Sequence, residues 1–281
     1  MNTIQFKSFD KERALYNLKD TEVNNCTFAG SMDGESALKE ARNIVISDCN
    51  FSLRYPLWHV IDFKIKNSTI NDTSRAPIWY SINGVIENSS LKAIKTIREC
   101  DNINISNCHI SSEEFGWKCN NINIFDSQID SVYFLFETKN VHIKNLKMQG
   151  KYSFQYMDNV IIENSYLDTK DAFWHSKNVT VKNTVVKGEY LAWFSENVTF
   201  IDCKIIGTQP LCYCKKLKLI NCTMEATDLA FEYSEVDADV VGNILSVKNP
   251  KAGKIVADSV GEVIFEDAVM PVEGQVIIRE K

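Results

Sequence analysis

The stretch 178–186, NVTVKNTVV, is followed nineteen residues later by 197–205, NVTFIDCKI, and the two lines match position for position. The same phrase runs upstream as NVIIENSYL (159–167), NVHIKNLKM (140–148), NINIFDSQI (121–129) and NINISNCHI (102–110), and downstream as KLKLINCTM (216–224). Looser copies are NIVISDCNF (43–51), FKIKNSTI (63–70) and NGVIENSSL (83–91). The step from Asn67 to Asn88 is two residues longer, which places an insertion in the turn NDTSRAP (71–77). Self-similarity at a fixed short period means a stacked solenoid, in which each repeat buries its apolar face only against its neighbours.

Reading down the columns gives each position a task. Ile103, Ile122, Val141, Val160, Val179, Val198 and Leu217 form one apolar column, and Ile105, Ile124, Ile143, Ile162, Val181, Phe200 and Leu219 a second. They alternate with polar residues at period two, the mark of a strand with one buried face. Asn88, Asn107, Asp126, Asn145, Asn164, Asn183, Asp202 and Asn221 form a ladder of side chains that tolerate sharp turns, so it marks a corner. The mostly small column Cys108, Ser127, Leu146, Ser165, Thr184, Cys203, Cys222 follows, and two residues on stands an apolar column from Ile110 to Met224. About nineteen residues per coil is too short for a helical pair or a propeller blade, and the leucine-rich spacing is absent. The fold expected is all-β: a single-stranded right-handed parallel β-helix of about eleven coils, right-handed by the rule for parallel crossovers.

One domain is expected over residues 1–281, with an N-terminal cap at 1–24, regular coils at 25–233 and an irregular C-terminal coil and cap at 234–281. The run GESALKEA (34–41) reads as a short helix or a loop in the first coil. Charged residues make up 24% of the chain and the net charge is −6, so no basic stripe for nucleic acid or an anionic membrane is expected. No run of eighteen apolar residues exists for a membrane helix, and the first twenty residues do not read as a signal peptide. Nine cysteines, several alternating with serine and threonine in repeat columns, read as buried thiols in a reducing, cytoplasmic setting.

The chemistry concentrates in the stretch preceding each repeat. One alternate set there holds Arg98, Trp117, Phe136, Gln155, Trp174, Trp193 and Cys212. The other holds Lys95, Glu114, Tyr133, Tyr152, Asp171, Tyr190 and Gln209; then Ile97, Leu135, Phe154, Phe173, Ala192 and Leu211; then Glu99, Lys118, Glu137, Tyr156, His175, Phe194 and Tyr213. Period two puts the sets on opposite sides of a strand, with the tryptophan set inward and the tyrosine-and-charge set outward. The alternative is a rotated strand whose tryptophans line a groove. A buried Arg98 would need a partner, for which Glu114 is suited.

Tyrosine with carboxylates suits sugar rings, because the flat ring covers C–H faces while acids and amides bind hydroxyls. Lys95, Glu114, Lys118, Tyr133, Glu137, Tyr152, Tyr156, Lys170, Tyr190, Gln209 and Tyr213 are therefore the expected binding residues. The plain alternative is a solvated surface, with Lys95–Glu114 and Lys118–Glu137 as ordinary ion pairs between coils. Glycosidic chemistry needs two carboxyls about 5–9.5 Å apart, and neighbouring coils are about 4.8 Å apart. Asp171 and Glu189 lie on adjacent coils and are the best pair, with His175 and Lys170 beside them. A calcium-dependent lyase would need a tighter acidic cluster. No metal-ligand spacing, phosphate loop or nucleophile elbow is found, and no cofactor is expected.

The coil and its asparagine ladder resemble the pectin-lyase-like β-helix superfamily. The phrases FDKERALYNLKD, ESALKE, YPLW, RAPIWYS, KDAFW, GEYLAW, QPLCYC and FEYS are similar to a bacterial family known as domain of unknown function 3737, over nearly the whole chain. The resemblance implies the fold and brings no activity or site residues. Two functions follow as expectations: binding or modification of a carbohydrate on one exposed face, or a non-catalytic scaffold for a protein partner or a second copy of the chain.

Overall fold

The structure, a computed structural model, describes residues 1–30 and 35–280. The chain is an all-β, right-handed parallel β-solenoid of about fourteen turns with about nineteen residues per turn. Its contacts divide into two compact units, Met1–His142 and Ile143–Lys281. Turns beyond the expected eleven come from the two ends, where sequence similarity fades but backbone pairing continues.

In the first unit, Asn2–Gln5 already pairs with Lys19–Asn24 at the coil spacing, Asn2 opposite Thr21 and Ile4 opposite Val23. Residues expected as a cap thus include strands in the register of the coil. The next step is four residues longer, Thr21 opposite Ile44, and this offset is already present where Arg13 N–H donates to Glu35 O at 3.1 Å. Gly34 lies outside the described residues; the rest of that run is turn and irregular chain before the strand Arg42–Ser47, and no helix occurs among the described residues. The register then holds: Ile61 opposite Ile82 across the two-residue insertion, Ile103 opposite Ile122, Ile105 opposite Ile124. The inward column carries stacked rings, Phe9–Phe28 and Phe28–Phe51 with centroids 5.0 and 4.6 Å apart.

In the second unit the same register runs through Val160–Val179–Val198–Leu217, all buried. After Tyr233 it changes, with shifts between Leu219 and Cys222 and between Val240 and Asn243. There the strands lengthen to Glu235–Lys248 and Ala252–Ile264, and Gln275–Ile278 pairs on one side with Lys254–Ala257. The corner that separates two strands in each earlier coil has gone, so the nineteen-residue phrase has gone too.

The corner itself is made as the ladder predicts. Asn67, Asn88, Asn107, Asn164, Asn183, Asp202 and Asn221 all have φ between 45° and 53°. That left-handed conformation is costly for most side chains and least so for asparagine and aspartate. The amides also tie coils together, Asn183 Nδ2 donating to Asn164 Oδ1 at 2.9 Å and Asn221 Nδ2 to Asp202 Oδ1 at 2.6 Å. A second left-handed position starts each phrase, at Asn83, Asn102, Asn178 and Asn197, with Asn197 Nδ2 donating to Asn178 Oδ1 at 2.7 Å. The small column next to the corner is an inner ladder. Ser165 Oγ donates to its own coil at Glu163 O (2.8 Å) and accepts the Leu146 N–H of the preceding coil (3.0 Å). Thr184 repeats this toward Lys182 O and Ser165 N, and Ser127 toward Phe125 O and Cys108 N. Thiols do the same work: Cys203 Sγ reaches Ile201 O at 3.2 Å and Cys222 Sγ reaches Ile220 O at 3.4 Å. All nine cysteines are buried and free.

Candidate functional site

The third side is a chain of tight turns in the second unit, whereas in the first unit Leu57–Trp58, Ile78–Trp79 and Ile97–Arg98 pair there as a short three-stranded parallel sheet. In the second unit Asp171, Phe173 and His175 have φ of 54°, 62° and 55°, and Tyr190, Ala192 and Phe194 repeat the pattern at 56°, 58° and 60°. Alternate left-handed residues rotate the side chains out of period-two order, which corrects the expected face assignment. The middle column, expected outward, is core: Ile97, Leu135, Phe154, Phe173, Ala192 and Leu211 are at most 1% exposed. The tryptophan column, expected inward, is half-buried along the rim, and its indole nitrogens bridge coils. Trp174 Nε1 donates to Tyr190 O and Trp193 Nε1 to Gln209 O, each at 2.7 Å; Gln155 Nε2 donates to Asp171 O at 3.1 Å.

In the first unit the equivalent rim is a cation–ring column. The Arg98 guanidinium lies 5.8 Å from the Trp79 ring and 5.5 Å from the Trp117 ring, and is neutralised by Glu99 at 3.2 Å and Glu114 at 3.3 Å. Glu114 is thus the partner that Arg98 requires, and it also pairs with Lys95 at 3.2 Å. Lys118 pairs with Glu137 at 3.7 Å on the exposed surface. Tyr133 is half-buried, and its carbonyl accepts Trp117 Nε1 at 3.0 Å. These residues are held by one another as structural pairs.

The second unit brings the remaining candidates into two groups. Tyr156, His175, Phe194, Tyr213 and Tyr233 form one continuous ring stack with successive centroids 5.0, 5.1, 4.8 and 5.6 Å apart. The first three contacts are nearly parallel, at 11°, 10° and 17°. Tyr213 therefore has rings on both sides, Phe194 and Tyr233, while Tyr156 stands at the end of the stack against His175 and is 48% exposed. His175 stands inside this stack.

Asp171, Lys170, Glu189 and Tyr190 form the other group. Lys170 ends the strand Tyr166–Lys170, and Asp171 opens the turn. Asp171 N–H donates to Glu189 O at 3.0 Å, which fixes the two coils side by side. Lys170 Nζ lies 2.8 Å from Glu189 Oε2 and 5.2 Å from the centre of the Tyr190 ring. Tyr152, Tyr190 and Gln209 hold the Asp171 position in neighbouring coils, by the register Lys151 opposite Lys170 and its repeats. Asp171 was expected outward, yet the residue is only 6% exposed; no described residue donates a hydrogen bond to its carboxylate, whose oxygens are not among the fully buried unpartnered atoms and so still reach solvent. Burial pushes its pKa up, Lys170 pulls it down, and Glu189 adds to the rise. A carboxyl in a largely buried residue that keeps a path to solvent and has a raised pKa is a candidate functional position.

The expected residues omit Tyr166. It lies in a shallow groove of about 940 Å³ at the asparagine corner, with Asn145, Asn164, Asn183, Asp202 and Lys204 around it. The signal was present in the column His109, Gln128, Lys147, Tyr166, Val185, Lys204, where it is the one phenol.

A stacked coil with two amide ladders and an inner hydroxyl–thiol ladder defines a parallel β-helix protein. The chain belongs to the family described as "Protein of unknown function (DUF3737)", which matches residues 2–278. No curated protein matches. Among solved structures it is similar to PfbA, a surface adhesin of Streptococcus pneumoniae, at 11% identity and a TM-score of 0.45, over 79% of this chain and 72% of that one. It is similar to the mannuronan C-5 epimerase AlgE6 A-module of Azotobacter vinelandii at 9% identity and 0.39, over 99% and 89%. An exopolygalacturonase of Thermotoga maritima aligns at 10% identity and 0.40, over 99% and 83%.

Proposed function

We propose that the protein recognises a carbohydrate at the end of the Tyr166–Lys170 strand, with Asp171, Glu189, Lys170 and Tyr190 as the contact group. The observation that carries this reading is the Asp171 carboxyl, which sits in a largely buried residue with no described residue donating to it, keeps its oxygens open to solvent, and stands beside an ion-paired second carboxylate. A hydroxyl is the ligand group that supplies the missing donor at neutral pH, and Lys170, Tyr190 and Gln209 add donors and acceptors around it. Two carboxyls one coil apart, about 4.8 Å in backbone spacing, also suit acid–carboxylate cleavage of a glycosidic bond, with Asp171 as the acid. His175 takes no part in this site, because its ring is stacked between Tyr156 and Phe194.

The test is a thermal-shift and calorimetry screen of neutral and acidic oligosaccharides on the full chain, repeated on Asp171→Asn with Glu189→Gln, with reducing-sugar release measured in parallel. Binding that is lost in the double variant supports the reading. Absence of binding by every sugar overturns it.

Self-association as a scaffold is the second reading, favoured by apolar side chains on the surface of the C-terminal segment: Phe265 and Val269, between the last two strands, are 58% and 84% exposed, and Ile278 at the end of the last strand is 51% exposed. A concentration-dependent dimer in sedimentation, dispersed by Phe265→Ser with Ile278→Ser, supports it. A monomer at high concentration overturns it.

A further inference from the structure

We infer that the corner groove around Tyr166 is a second sugar subsite, which makes the ligand a linear oligosaccharide and not a single sugar; this rests on the carbohydrate reading above. Tyr166 is 40% exposed and engages no other aromatic ring among the described residues. It is thus unlike the tyrosines of the ring stack, each of which lies against another ring. Its neighbours in register are Lys147 on one side and Val185 on the other, so the phenol is flanked by a cationic and an apolar side chain.

The walls are half-used hydrogen-bonding groups. Asn183 gives Nδ2 to Asn164 Oδ1, which leaves Asn164 Nδ2 as a donor and Asn183 Oδ1 as an acceptor. Asp202 receives Asn221 Nδ2 on one oxygen and keeps the other. Among the described residues the Lys147 ammonium has no carboxylate partner, whereas Lys204 is tied to Glu225 at 2.5 Å and Lys187 to Asp168 at 2.8 Å. A ring face, an apolar strip and alternating donors and acceptors are what a pyranose requires.

The groove and the Asp171 group occupy the two ends of one strand. Tyr166, Asp168 and Lys170 point outward from it, while Leu167 and Thr169 are buried. At about 3.3 Å per residue, Tyr166 and Lys170 are about 13 Å apart, farther than one sugar ring reaches. Both are filled together only by a longer chain.

The experiment measures calorimetric affinity of the full-length protein for cello-, manno-, xylo- and galacturono-oligosaccharides as disaccharides and hexasaccharides. It compares wild type with Tyr166→Ala, Tyr166→Phe and Asp171→Asn, each checked for native circular dichroism. The expected result is a loss of about tenfold in hexasaccharide affinity for Tyr166→Ala, with disaccharide affinity unchanged and Tyr166→Phe close to wild type. Hexasaccharide binding that depends on Asp171 and is indifferent to Tyr166→Ala overturns the groove and leaves the first site standing. Binding that depends on Tyr166 and is indifferent to Asp171→Asn keeps the groove and overturns the first site. No binding by any of these sugars overturns both.

Discussion

Replacing Phe173, Trp174 and His175 one at a time separates the three layers of the turn side. Phe173 is 0% exposed, and its ring is stacked on Phe154 with centroids 4.7 Å apart at 8°. Removing a buried phenylalanine ring costs about 3–5 kcal/mol, of which the stacked pair supplies about 0.5–1.5. Trp174→Phe keeps most of the half-buried ring and deletes the N–H that reaches Tyr190 O at 2.7 Å, a loss of about 1 kcal/mol. His175→Ala removes an exposed ring with a neighbour on each face and costs less than about 1 kcal/mol. Phe173 and His175 both have positive φ, and alanine keeps the Cβ, so backbone strain cancels and the difference reads packing. Urea unfolding followed by circular dichroism gives the three values from one transition, since all three residues lie in the same compact unit. A His175→Ala cost equal to or above that of Phe173→Ala refutes the inward placement of Phe173.

The same unit carries a pH signature. Burial raises the Asp171 pKa above its ordinary 3.8, so the folded state holds that proton more tightly than the unfolded chain. The native state is therefore favoured by this group below about pH 3.8, and that contribution is lost as pH rises through the folded pKa. Asp171→Asn is expected to raise the melting temperature at pH 7 and leave it unchanged near pH 3; equal shifts at both pH values refute the burial argument. The cysteines give a third outcome. With all nine thiols buried, an aromatic disulfide reagent labels none within minutes in buffer and all nine in urea. Rapid labelling of any one in the native state contradicts its place in the ladder.

The corner and both strands of each coil were legible because their signals are local: period-two valines and isoleucines, and an asparagine or aspartate at the corner positions where φ turns positive. The turn side was not legible, for a reason visible at Phe173 and Tyr190. Phenylalanine and tyrosine adopt left-handed backbone too rarely to announce it, so a stretch with φ above zero at every second residue looked like a strand. Its columns were found correctly and its directions were not. Arg98 could be matched to Glu114 despite this, because a half-buried guanidinium needs a carboxylate whichever way the backbone turns. The Asp171–Glu189 neighbourhood followed from coil spacing, while the burial of Asp171 depended on the turn geometry and stayed hidden. At the ends, Asn2–Gln5 and Ala252–Ile264 continue the stack through backbone pairing, which leaves little trace in side-chain identity.

Six of the seven columnar residues from Cys108 to Cys222 are serine, threonine or cysteine, and each needs only one short side chain that can give a proton inward and receive one from the coil below. Sulfur and oxygen are exchangeable there, so mutation can move cysteines up and down the stack with little consequence. Cys108, Cys203 and Cys222 are therefore rungs of the ladder, each thiol reaching a main-chain carbonyl two residues back as a serine or threonine hydroxyl does in the coils between.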